Sequence, residues 1–150
     1  VMELQTEEIV RMLKTDRLDI AILVTPVEDK EIREVPIFYE PILVYTSEKL
    51  PYYQQERISL KSLTYDNLLL LEEGNCFRGQ VENLCAAKSK VMNNQLNYQS
   101  GSLETLKAMV DNDYGYTLIP ELAVNTKSKH VKHFTSPEPV REISFAVHNG

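Results

Sequence analysis

Cysteine is scarce: two in 150 residues. That count does not suit a disulfide scaffold, and it fits a reducing compartment where thiols stay free unless something oxidises them. No apolar run approaches the ~20 residues that a membrane span needs, and no secretory pattern opens the chain. A cytoplasmic location with no membrane partner is therefore expected. Basic charge is also short, with 16 Lys and Arg against 22 Asp and Glu and a formal charge of −6. No Lys/Arg-rich face stands out, which argues against this stretch itself gripping DNA or RNA. Internal repeats and low-complexity tracts are missing. The histidines, His130, His133 and His148, lie far along the chain from both cysteines, so no zinc site and no cofactor are expected.

What is present is 43% hydrophobic and 25% charged residues, the balance of a soluble globular protein. The length suits one domain or two small lobes. Val1 to Leu4 reads as a strand, followed by a helix that Thr6 can cap, with Glu7 and Glu8 in its first turn. Leu18 to Val24 is almost continuously apolar, as in a parallel strand covered on both faces. Strand, helix, strand in that space is a βαβ unit. Further strands are expected over Glu31 to Phe38, Ile42 to Thr46, Leu68 to Leu71, Gln95 to Gln99, Tyr114 to Ile119, an exposed His130 to Phe134, and Ile143 to Val147. Pro51 to Glu56 reads as a polar loop. Ser59 opens a short helix, and Ser102 caps a longer one with Leu103, Leu106, Met109 and Val110 on its apolar face.

Alternating helices and apolar strands imply an open α/β sheet. Pro36 to Pro41 and Pro137 to Pro139 mark two changes of direction bracketing a middle block. The expected architecture is two Rossmann-like lobes joined by two crossovers, as in periplasmic-binding-protein-like sensors. Lobe I takes residues 1–39 plus 141–150, and lobe II takes 40–140. Strands begin and end the sequence abruptly in this reading, so the chain is expected to be part of a longer protein.

The stretch from Leu68 to Cys85 holds both cysteines. It starts as a buried strand, turns at Gly74 and enters a helix. In a continuous helix, positions 76 and 85 differ by about 900° and lie roughly 13 Å apart along the axis. A disulfide needs Cα atoms within about 7 Å. Either the two cysteines are unrelated, or pairing them requires this segment to refold.

Several stretches resemble the LysR-type transcriptional regulators. They are Leu13 to Ala21, with its Leu18-Asp19 pair after a helix, then Ser102 to Val110, and Gly115 to Pro120. The most specific is Leu71-Glu72-Glu73-Gly74-Asn75-Cys76-Phe77-Arg78 with Cys85 following, which is similar to the redox switch of the peroxide-sensing branch. The resemblance runs over essentially the whole chain and covers a regulatory domain without its winged helix-turn-helix. It implies that Cys76 is the peroxidatic and Cys85 the resolving cysteine. Hydrogen peroxide would oxidise Cys76 to a sulfenic acid, Cys85 would capture it as a disulfide, and the refolded segment would alter dimerisation and DNA binding. The implied partners are a second copy in a homodimer or tetramer, promoter DNA through the helix-turn-helix domain, RNA polymerase, and thiol reductants such as glutaredoxin or thioredoxin. The class is a transcription factor domain and not an enzyme.

The same resemblance places Thr6, Asn75 and Arg78 at the peroxide pocket. Members of the branch often carry His where this chain has Asn75, and Asp where it has Gly79. Asn75 can donate a hydrogen bond but cannot supply a titrating cation. Gly79 is expected to give the loop freedom. The reactive species is the thiolate, and a strand-to-helix start favours negative charge there. Plainer readings stand beside these. Cys85 and Cys76 are also readable as small buried apolar residues, Thr6 as a helix cap and Arg78 as a surface charge. The rival functions are a LysR-type domain sensing a small metabolite with incidental cysteines, a binding protein of an oxidising compartment, and a thiol peroxidase.

Overall fold

The computed structural model describes residues 1–71, 76–85, 99–100 and 102–150. The chain forms two compact units. Unit 1 is Val1–Glu40 with Val140–Gly150, and unit 2 is Pro41–Pro139.

In unit 1, α1 (Thr6–Lys14) packs on a sheet of β1 (Ala21–Thr25), β8 (Val140–His148) and the first part of β2 (Ile32–Thr46). β1 lies antiparallel to β8, from Ala21 opposite Ala146 to Thr25 opposite Glu142. The core is small: Leu13, Leu23, Ile32 and Ala146 are buried, with Ile9, Val10 and Leu18 packed against them. These are the positions that the period of α1 turns inward and the alternation of β1 puts on one face.

Three expectations fail in this unit. Residues 1–5 are not in a strand. β1 is antiparallel and not covered on both faces, since Ile20 and Ile22 are 51% and 62% exposed. A short apolar run has no mark of strand direction, and the partner here comes from the other end of the chain. Thr6 does not cap α1: Gln5 holds the N-cap position and makes no side-chain cap hydrogen bond, while Thr6 is already the first helical residue.

Unit 2 holds the larger core. Its buried residues include Leu43, Val44, Leu68 to Leu71, Phe77, Val81, Leu106, Val110, Tyr116, Leu118, Ile119 and Phe134. The second part of β2 pairs antiparallel with β6 (Tyr116–Pro120), and Val44 and Tyr45 face Lys132 and Val131 of β7 (Val131–Phe134). β3 (Arg57–Ile58) runs parallel to β7. β4 (Leu70–Leu71) runs parallel to β5 (Gln99–Ser100). Helix α3 (Leu103–Asp111) buries Leu106 and Val110, one turn apart.

The expected strands Glu31 to Phe38 and Ile42 to Thr46 form one 15-residue strand. Proline lacks only the N–H, so Pro36 and Pro41 remain compatible with extended backbone. β6 begins at Tyr116 and not at Tyr114, because Gly115 takes a φ of 132° just before it. β7 is not an exposed strand, since Val131 and Phe134 are both buried. The loop expected from Pro51 contains a 3-10 turn, Pro51–Gln54. Ser59 and Ser102 hold N-cap positions by backbone but make no side-chain cap hydrogen bond. Residues 95–98 of the expected Gln95 strand lie outside the described residues.

Candidate functional site

The junction is built from a strand and a helix of opposite character. Leu68 to Leu71 are all buried, so β4 is a core strand that ends at Leu71. Helix α2 (Cys76–Cys85) begins five positions later. Phe77 and Val81, at 4% and 3% exposure, are spaced i, i+4 and so share one face, which packs into the unit 2 core. Asn75 and Gly74 lie outside the described residues.

Arg78 joins the two elements. It is buried, with 7% exposure, so the surface-charge reading fails. Its Nη1 donates to the Leu71 carbonyl at 3.0 Å, and its Nε donates to Glu82 Oε1 at 2.9 Å. The guanidinium therefore ties the first turn of α2 to the last residue of β4, across the segment that leads into Cys76. Its partner Glu82 is 42% exposed, so the ion pair is partly screened. Arg preceding Glu by four residues is also the less favourable order for the helix dipole. The tie to Leu71, a charge-assisted bond to a buried carbonyl, is the stronger half of the arrangement.

Cys76 opens α2, at the end where the helix dipole favours an anion. The first turn holds no acidic residue to compete for that field. Cys85 closes the same helix. Nine steps along a continuous helix place their Cα atoms about 13 Å apart, which is beyond disulfide range.

One residue was passed over in the sequence. Gln80 lies one turn after Cys76 on α2, and its side-chain Oε1 is buried with no hydrogen-bond partner. A buried orphan acceptor is costly and rare, and its presence marks a place where a donor belongs. The only sequence signal was its i+4 spacing from Cys76. Gly79, expected to loosen a loop, is instead inside the helix. Thr6 lies in unit 1, half-buried at the start of α1. Among the described residues no three His, Cys, Asp or Glu side chains gather as a metal site. No helix among them is long and apolar enough to cross a membrane.

A two-unit α/β fold crossed twice by its chain, with a helix bounded by two cysteines in the second unit, points to a class of sensor domain. The chain belongs to that class: the LysR substrate binding domain family matches residues 1–150. Within the family it keeps company with OxyR regulators. It is 38% identical over 152 residues to the hydrogen peroxide-inducible genes activator of Haemophilus influenzae, covering 99% of this chain and 50% of that protein. It is 34% identical to the DNA-binding transcriptional dual regulator OxyR of Escherichia coli, covering 99% and 49%. The reduced OxyR of Porphyromonas gingivalis matches with a TM-score of 0.79 at 31% identity, covering 99% of this chain and 68% of that one. The chain spans about half the length of the curated relatives it matches. Those relatives are transcription regulators and not enzymes.

Proposed function

We propose that this chain is the peroxide-sensing regulatory domain of an OxyR-type transcription regulator, with Cys76 and Cys85 as a reversible disulfide switch. The observation that carries the reading is that α2 starts at one cysteine and stops at the other. The Cys76 thiolate attacks one oxygen of hydrogen peroxide. The O–O bond breaks, sulfur is oxidised to a sulfenic acid, and the other oxygen leaves as hydroxide and takes up a proton to become water. The Cys85 thiol then displaces a second water from the sulfenic acid, forming the S–S bond.

The second step requires α2 to unwind. Doing so removes Phe77 and Val81 from the core, at a cost of about 1.5–3 kcal/mol each. Arg78 holds the start of α2 in place, and Gln80 offers its free Oε1 to a donor such as peroxide or the sulfenic O–H. The family resemblance assigns Thr6 and Asn75 to peroxide handling as well. In the whole protein, the refolded segment changes contacts with a second copy and so the set of attached DNA-binding domains at a promoter. RNA polymerase reads out that change, and cytoplasmic thiol reductants such as glutaredoxin or thioredoxin reset the switch.

Reduced protein treated with stoichiometric peroxide, with free thiols counted over time, tests this. Both thiols disappear rapidly in the wild-type chain and almost none react in Cys76→Ser. Slow oxidation, or unchanged reactivity without Cys76, sinks the redox reading in favour of a metabolite-sensing domain.

A further inference from the structure

We propose that Gly79 sets how readily α2 unwinds, and thereby how easily the Cys76–Cys85 disulfide closes; this rests on the switch reading above. Gly79 is an interior residue of a ten-residue helix. Glycine is normally demanded by a left-handed backbone or by a close neighbour. Neither applies. Among the described residues the positive-φ glycines are Gly115 and Gly150, and Gly79 is not one of them. A Cβ built at Gly79 meets nothing within 4 Å, and the position is exposed. What the residue does change is the helix–coil balance, because glycine loses the most backbone freedom on entering a helix.

The rest of α2 is weak in the same sense. It has no acidic residue in its first turn and no basic residue in its last. Its Arg78–Glu82 pair is oriented against the dipole. The helix is therefore held by docking, through Phe77, Val81 and the Arg78 tie to Leu71, and not by local preference. Such a helix stays formed while it is docked and offers little resistance once its ends are drawn together. The disulfide step, in which the Cys85 thiol displaces water from the Cys76 sulfenic acid, is where that matters. Peroxide attack at Cys76 occurs on the formed helix and does not depend on Gly79.

The test is Gly79→Ala in the purified chain, which the open space accommodates. In a thiol–disulfide buffer of fixed poise, the ratio of disulfide to dithiol should fall about two- to five-fold, the helix-propensity difference between Gly and Ala. The initial rate of Cys76 thiol loss to peroxide should be unchanged. Asn83→Ala, also exposed and on α2, should lower the ratio in the same direction. A ratio that is unchanged or raised in Gly79→Ala, while the wild-type disulfide forms normally, overturns this inference alone. Failure of the wild-type chain to form a Cys76–Cys85 disulfide overturns the switch reading and takes this inference with it.

Discussion

At the level of single residues, the polar groups inside unit 1 carry a pH signature. Thr25 Oγ1 donates to Glu142 Oε1 at 2.7 Å, and Ser144 Oγ lies 3.1 Å from the same oxygen. Hydrogen bonds from Thr25, then Tyr39, then Ser144 hold the Glu142 carboxyl below its usual pKa. A depressed folded-state pKa means that this stabilisation is complete above the unfolded-state value, about 4.3 for Glu, and is lost as the pH falls through the lower folded value. The denaturation midpoint of wild type should therefore fall on acidification below about pH 4.3, and Glu142→Gln should flatten that fall. An equally steep drop in the variant would assign acid sensitivity to other carboxylates. Glu142 and Thr25 carry no sequence mark, because they are 117 residues apart and meet only through strand pairing. Arg78 was visible as a charge beside a cysteine, but its burial was not. That burial depends on the Leu71 carbonyl, which only the folded junction presents.

Elements were legible in proportion to how local their causes are. α2 and α3 were visible because apolar spacing and flanking residues lie within each segment. The direction of β1 was hidden because its partner, β8, follows more than a hundred residues later. The start of β6 is instructive. Gly115 has a φ of 132°, and a Cβ there would lie 2.2 Å from the Asn67 carbonyl oxygen. That same oxygen accepts a hydrogen bond from Tyr116 N at 2.9 Å, which seats β6 beside Leu68. The sequence shows the glycine, while the reason for it is a backbone that arrives from elsewhere. Gly115→Ala should destabilise the fold by at least about 2 kcal/mol, from the left-handed strain and the clash together. Urea unfolding measures this, and a loss below half that value would mean that the 67–68 backbone yields easily.

For the whole molecule, the decisive places are the two where the chain passes between its units. Glu40 and Arg141 flank them. Their side chains are 2% and 18% exposed, and both Nε and Nη2 of Arg141 lie 2.6 Å from Glu40 Oε2. Breaking such a largely buried pair by replacing one member costs about 3–5 kcal/mol. Arg141→Met should show that loss in chemical denaturation, and adding Glu40→Leu should recover much of it. Equal stability in the single and double variants would show that Glu40 is satisfied without the arginine. The prolines near residue 40 and before residue 140 made these crossings visible in the sequence, whereas the ion pair between them was not.

The ends of unit 2 meet, since Ile42 N donates to the Pro139 carbonyl at 2.9 Å. Unit 1, by contrast, is assembled from both ends of the chain. This asymmetry predicts an order of events during folding. Closing a loop of roughly a hundred residues costs entropy that the four-residue buried core of unit 1 is poorly placed to offset alone. Unit 2 closes that loop as it folds, delivering β2 and β8 side by side. Unit 1 should therefore gain amide protection after unit 2 in pulse-labelled hydrogen exchange during refolding, and simultaneous protection of both units would overturn that order.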